Sequence, residues 1–297
     1  MRQPVTQSEL STFSRCEERH NLRYNKCLVP MEEHPALRMG SAVHRGLEHR
    51  SVPAALEGLR GEDPMWTLFE GREARIREAT VSAIVGGALE RWSEWPEINE
   101  LSFSVPLRNP ATGYPSRRCE YHGVLDGVWK GTHPDFPGEV VLGEWKTAAQ
   151  VTSEYMQRLE IDFQVSAYCW ASSQLFGVPV RKVVYRVIKK PTIRQKKTED
   201  LADYIERLRS DYLERPDHYY FDTVVTRTKE QLDDWARQAW ATHRRVLEIR
   251  NGAVAIRSTQ SCLNRGRCPY FDLCVGAVGE NAYRKLDVKH PELGAKA

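Results

Sequence analysis

The sequence predicts an α/β fold, a mixed central sheet flanked by helices, and three observations carry that prediction. Short β-rich runs broken by Pro and Gly occupy the middle of the chain, at 101–107, 117–131 and 138–148. Long stretches of helical texture lie on both sides of them, and two more β-rich runs, 180–190 and 218–225, alternate with helices afterwards. No internal repeat or low-complexity linker divides the chain, so 1–297 reads as one domain with a helical part at 40–95 and a core at 100–200.

Each element has a local reason. Residues 8–24 read as a helix, with Leu10, Phe13 and Cys16 at helical spacing and Ser8 or Ser11 available as cap. A second helix starts near Gly40 and turns Val43 and Leu47 inward, which leaves His44 and Glu48 on a neighbouring face. Residues 66–92 continue the helical pattern until Pro96. The three central strands follow, then a helix over 154–176 ended by Gly177 and Pro179. Helices at 199–213 and 229–250 flank the last strand.

Composition sets outer limits. The 297 residues are 41% hydrophobic and 28% charged, enough for one substantial core. No run approaches the roughly 18 apolar residues of a membrane span. The start, MRQPVTQSELSTF, lacks a signal-peptide pattern, so a cytoplasmic protein is expected, with no membrane partner. A net charge of +3 from 43 basic and 40 acidic residues proves no nucleic-acid partner. Charge placement says more: Arg181, Lys182, Arg186, Lys189, Lys190, Arg194, Lys196 and Lys197 follow one another with no acid between, a run that suits either a phosphate backbone or a solvated face.

The sharpest chemical feature is VVLGEWKTA. Alternation along a strand puts Glu144 and Lys146 on one face and Trp145 on the other. A surface ion pair is the plain reading of Glu-x-Lys, but the apolar run 140–142 argues for a buried strand. The preceding strand offers Asp126 inside HGVLDGVW, either a turn residue before Gly127 or an acid that joins Glu144 in holding a hard cation. Gln164 and Tyr168 share a helical stripe and, read alone, are packing residues. Seven cysteines in a reducing compartment argue against a disulfide framework. Cys262, Cys268 and Cys274 cluster near the end, where spacing leaves zinc and iron-sulfur both open. Cys119 and Cys169 read as core residues.

Taken in order, SELSTFSRC, GSAVH, GVLDGV, GEWK, QVSAY and CLNRGRCPYFDLC resemble the RecB-like, iron-sulfur branch of the PD-(D/E)XK nucleases, over residues 8–274. That branch includes the AddB nuclease domain, the CRISPR-associated adaptation exonuclease and related phage exonucleases. The resemblance implies a restriction-endonuclease-like core with a four-cysteine clasp formed by 1–30 and 255–280. It implies that His44, Asp126, Glu144 and the Trp145 carbonyl hold one or two Mg2+ or Mn2+ ions, and that Lys146 orients the attacking water. Gln164 and Tyr168 would position strand or carboxylates. Cys16, Cys262, Cys268 and Cys274 would bind a [4Fe-4S] cluster, with Cys27 a substitute ligand. Arg181, Lys182, Lys189, Lys190, Arg194, Lys196 and Lys197 would follow DNA. The implied activity is exonuclease cleavage of single-stranded or frayed DNA, alongside a helicase or recombination partner. The pathways implied are recombination, repair, phage DNA metabolism and spacer acquisition, in a bacterial or phage-encoded protein. The competing reading is a catalytically silent nucleic-acid-binding subunit of the same fold; a zinc-stabilised structural protein would require the Glu-x-Lys strand to be accidental.

Overall fold

The computed structural model describes residues 2–31, 35–61, 66–264, 266–291 and 293. Arg265, which falls within the predicted clasp, lies outside the described residues, as do 62–65 of the predicted helical part. In chain order the first elements are β1 (Gln3–Thr6), α1 (Gln7–Arg15), α2 (Glu17–His20), β2 (Leu28–Pro30), α3 (Pro35–Glu48), α4 (Val52–Arg60) and α5 (Trp66–Arg91). The middle comprises β3 (Ile98–Arg108), β4 (Pro115–Lys130), β5 (Val140–Ala148), α6 (Ser153–Arg158), α7 (Phe163–Phe176) and β6 (Lys182–Lys189). The chain continues through α8 (Leu201–Glu214), α9 (Pro216–Tyr219), β7 (Tyr220–Thr226), α10 (Lys229–Arg250), α11 (Phe271–Cys274) and β8 (Tyr283–Lys285). Among the described residues no helix is long and apolar enough to cross a membrane.

The central sheet is mixed and has six strands, in the order β1-β4-β5-β6-β7 with β3 along the other edge of β4. β5 and β6 run parallel, joined by the α6–α7 crossover, whereas β3, β4 and β5 are successively antiparallel and β7 returns antiparallel to β6. The edge of β4 facing away from β3 is shared: β1 pairs with residues 119–122 and β5 with 127–130. Between them, residues 123–126 have no strand partner on that edge. This parting of two strands positions the site described below.

Helices cover both faces. Val165, Ala167 and Trp170 of α7 and Trp235 and Ala239 of α10 pack on Tyr121, Leu125, Leu142, Val183 and Val187. Val43, Leu47, Ala55, Leu59, Ile84, Leu208 and Tyr212 pack on Trp129, Val141, Trp145, Val184 and Ile188. Each such fully buried side chain contributes about 1.5–3 kcal/mol. The second layer contains a buried cation. Arg186 of β6 is 4% exposed, and its guanidinium lies 4.7 Å from the ring centre of Trp92, 5.7 Å from Trp95, 5.9 Å from Trp129 and 5.8 Å from Trp145. Four indole faces replace the carboxylate such a residue usually needs. Burial pushes its pKa down to about 10.

Several helices depart from the bounds that the sequence pattern suggests. The stretch 8–24 is broken at Cys16, whose backbone is extended and whose thiol caps α2 by accepting the Arg19 N–H. The stretch 154–176 is broken at Asp162, whose carboxylate caps α7. Helix α5 kinks at Gly71, α3 starts at Pro35 rather than near Gly40, and α9 takes the first residues of the run 218–225. Strand β1, helix α4 and the small β2–β8 sheet have too few residues to show a period.

The two ends of the chain meet. Strand β2 pairs with β8, and Tyr270 packs against Leu22 and Leu28. Beside them Glu9 of α1, 1% exposed, receives His20 Nε2 at 2.8 Å, Lys289 Nζ at 2.5 Å and His290 Nε2 at 3.1 Å. Burial alone would raise the Glu9 carboxyl, but these neighbours hold it well below the carboxylate range.

Candidate metal and nuclease site

Asp126 stands where β1 and β5 part. With no strand opposite, its Oδ2 accepts the Trp145 N–H of β5 at 2.8 Å and so replaces a ladder bond. The N–H and C=O of one strand residue face the same neighbour. The Trp145 carbonyl therefore faces the same gap, while its indole lies over the paired glycines Gly127 and Gly143, where a Cβ would collide with the ring.

The Glu144 side chain is 3% exposed. Its Oε1 accepts Gln164 Nε2 of α7 at 2.8 Å and pairs with Lys146 Nζ, while Oε2 is buried without a hydrogen-bond partner. An uncompensated carboxylate oxygen in such a place costs free energy unless something cationic meets it. Burial and then the Asp126 charge push Glu144 up to about 7. Lys146 loses hydration too, but Glu144 and Asp126 outweigh that and raise it above the usual lysine range. Tyr168 is raised first by burial and then by the Glu144 charge, and it packs edge-on against Phe103. The structure thus brings Asp126, Glu144, Lys146, Gln164 and Tyr168 together.

His44 arrives from α3, its Nδ1 3.4 Å from Asp126 Oδ1. Burial opposes the imidazolium, but Asp126 outweighs it and the His44 pKa rises, while Asp126 is lowered in turn. A residue that the motifs do not mark completes the group: a Glu100 oxygen, a His44 ring nitrogen and an Asp126 oxygen all lie within 4.8 Å of one another. Glu100 has a positive φ of 48°, rare for a non-glycine residue. Burial and the Asp126 charge push it up to about 7. A signal for it exists in the sequence. Leu101, Phe103, Val105 and Leu107 keep the period of two, yet Ile98 sits three before Leu101 on the same core, and Leu125 and Val128 repeat that slip on β4. Both strands change phase at the two carboxylates.

Oxygen and imidazole donors around a buried, unpartnered carboxylate oxygen fit a hard divalent cation. The sequence description PD-(D/E)XK nuclease superfamily matches residues 4–275. The chain belongs to that superfamily. A solved structure of a Eubacterium rectale protein named "putative exonuclease" has the same fold, with a TM-score of 0.58 and 14% identity, covering 99% of this chain and 93% of that one. No curated protein matches the sequence.

Elsewhere in the nuclease, Cys16 lies beside the returning tail. Its thiol accepts the Ser258 N–H at 3.4 Å, Cys262 Sγ contacts the Ser258 carbonyl at 3.6 Å, and Cys268 N–H donates to the Cys262 carbonyl at 2.7 Å. Burial raises the Cys274 thiol, and the nearby Cys268 and Cys16 add to the effect. The four are half-buried and free of disulfides; Cys27 has a positive φ and bonds toward Tyr24. Cys119 and Cys169 are core residues.

The basic run is split by β6. Arg181 and Lys182 stand at its start, Lys182 on Glu139, seven residues or about 23 Å from Lys189 at its end. Lys189, which contacts His218, and Lys190 lie at the end of the sheet where β6 runs beside residues 146–148 of β5. Arg194, Lys196 and Lys197 continue in the loop beyond them. Arg186 is buried in the indole cage.

Proposed function

We propose that this nuclease is a divalent-metal-dependent exonuclease of the RecB-like, iron-sulfur branch, acting on single-stranded or frayed DNA ends. The buried Glu144 oxygen without a partner, set between Asp126 and Lys146, supports this reading most. His44, Glu100, Asp126, Glu144 and the Trp145 carbonyl would hold the cation. When bound, the cation supplies charge that neutralises the phosphodiester and acidity for water. Lys146, kept cationic by two carboxylates, orients the attacking water and offsets charge on the phosphorus oxygens. Gln164 fixes the Glu144 rotamer, and Tyr168 closes that wall. Lys189, Lys190, Arg194, Lys196 and Lys197 would track the strand's phosphates.

The test is purified protein on linear and closed circular single strands with Mg2+ or Mn2+. Linear strands should be degraded and circles spared; equal cutting of both would replace the exonuclease reading with an endonuclease one, and tight binding without cleavage would favour the silent subunit. Because Glu100 and Glu144 are both pushed up to about 7, protons compete with the cation. Mn2+ affinity measured by calorimetry should therefore climb between about pH 6 and pH 8, with proton release. A flat profile would remove these carboxylates from the site.

The four-cysteine clasp belongs to the same proposal. Spacing leaves zinc and iron-sulfur both open, and the resemblance of CLNRGRCPYFDLC, with Cys16 beside the returning tail, carries the iron-sulfur reading. Protein purified without oxygen should carry about four iron atoms per chain; stoichiometric zinc would overturn the assignment.

A further inference from the structure

A groove of about 310 Å3 lies between the loop joining β3 to β4 and the middle of α10, away from the carboxylates. Its lining includes Tyr114, Arg117, Arg118, Trp240, His243 and Arg244. The three arginines are exposed and make no side-chain ion pair or hydrogen bond among the described residues. No acidic residue lines the groove. Tyr114 is 75% exposed at the rim of the groove. His243 is 5% exposed, and its Nε2 has no hydrogen-bond partner, so the wall holds a polar atom with nothing to satisfy it.

We propose that this groove is a second binding surface for single-stranded nucleic acid, holding the part of a strand that lies remote from the carboxylates. Arg117, Arg118 and Arg244 take phosphates, Tyr114 and Trp240 take bases on their ring faces, and His243 offers its free ring nitrogen. The three exposed guanidinium groups suit an anion, and the exposed Tyr114 ring with the half-buried Trp240 beside them favours an anion that carries flat bases. Arg118 and Asp126 are eight residues apart on β4, about 26 Å along the strand. A strand engaged at both places spans that distance, so the groove would hold long products or substrates without touching the scissile bond. The inference rests on the nuclease reading above.

The test uses a labelled single strand of about 20 nucleotides and a trinucleotide, the latter too short to reach from Asp126 to the groove. In chelator, where no strand is cut, the triple variant R117A/R118A/R244A should bind the long strand about tenfold more weakly. Its log–log salt slope should fall by about two, since each single-strand phosphate contributes about 0.7. Trp240→Ala should weaken binding by a similar factor with the slope unchanged. Trinucleotide cleavage with Mn2+ should stay at the wild-type rate in both variants, which also shows that they fold. Wild-type affinity and slope in the triple variant would overturn the groove. So would an acidic polypeptide displacing the long strand as well as unlabelled DNA does, with Trp240→Ala silent, because the surface would then read as a protein-docking patch. Failure of the wild-type protein to cut either strand, with the long strand still bound through the groove, would instead overturn the nuclease reading and leave the groove standing.

Discussion

Asp126→Asn and Glu144→Gln are each expected to lower cleavage by about 10^3-fold or more while leaving the fold and strand binding near wild type. Both replacements keep the shape of the side chain and remove the charge. Asp126→Asn sets an amide where the Trp145 N–H donates at 2.8 Å and His44 approaches at 3.4 Å. Glu144→Gln removes the oxygen that is buried without a partner and deprives Lys146 of its counter-charge. A loss of several kcal/mol in stabilising the attacked phosphate corresponds to that factor, at 1.36 kcal/mol per tenfold. Steady-state cleavage of a linear strand, with binding measured in parallel, checks the result. Activity within tenfold of wild type in either variant would take the residue out of the site.

Glu9→Ala is expected to be the most damaging single change in the fold. Glu9 is the shared acceptor for His20, Lys289 and His290, and all four groups are largely buried. Removing the acid leaves the buried Lys289 ammonium and two imidazoles without this shared acceptor, a loss of about 3–5 kcal/mol. The midpoint of thermal unfolding should fall by on the order of 10 °C. Because two partners come from residues 289 and 290, limited proteolysis should release the tail before the core is cut. An unchanged midpoint would mean that the cluster is solvated rather than buried. The stabilisation has a pH signature. The Glu9 carboxyl is depressed in the fold, so its contribution is present above the unfolded carboxylate pKa and is lost as pH falls through the lower folded value.

What the sequence revealed follows from period and spacing. The strands at 117–131 and 138–148 were legible as short β-rich runs bounded by Gly, and strand geometry puts Glu144 and Lys146 on one face. His44 fell beside Asp126 only through the family's order of motifs, since nothing local separates it from any helical histidine. Glu100 escaped because its cue is a missing beat, Ile98 to Leu101, rather than a recognisable residue pattern. The two helix breaks at Cys16 and Asp162 were hidden for a shared reason: each is capped by its own side chain, and neither Cys nor Asp stops a helix in a pattern count. The charge run 181–197 was misleading as a unit, because a strand carries its two ends far apart and turns Arg186 inward.

The indole cage around Arg186 gives the protein an intrinsic optical readout. Four of the 8 tryptophans surround one guanidinium, and one of the four, Trp145, is the residue whose peptide lies between Glu144 and Lys146. Its carbonyl lies in the plane of the sheet, toward the gap beside Asp126, while its ring projects from one face into the cage. Any movement of that peptide tilts an indole against a fixed positive charge, and emission from the cage reports events at the carboxylates without a label.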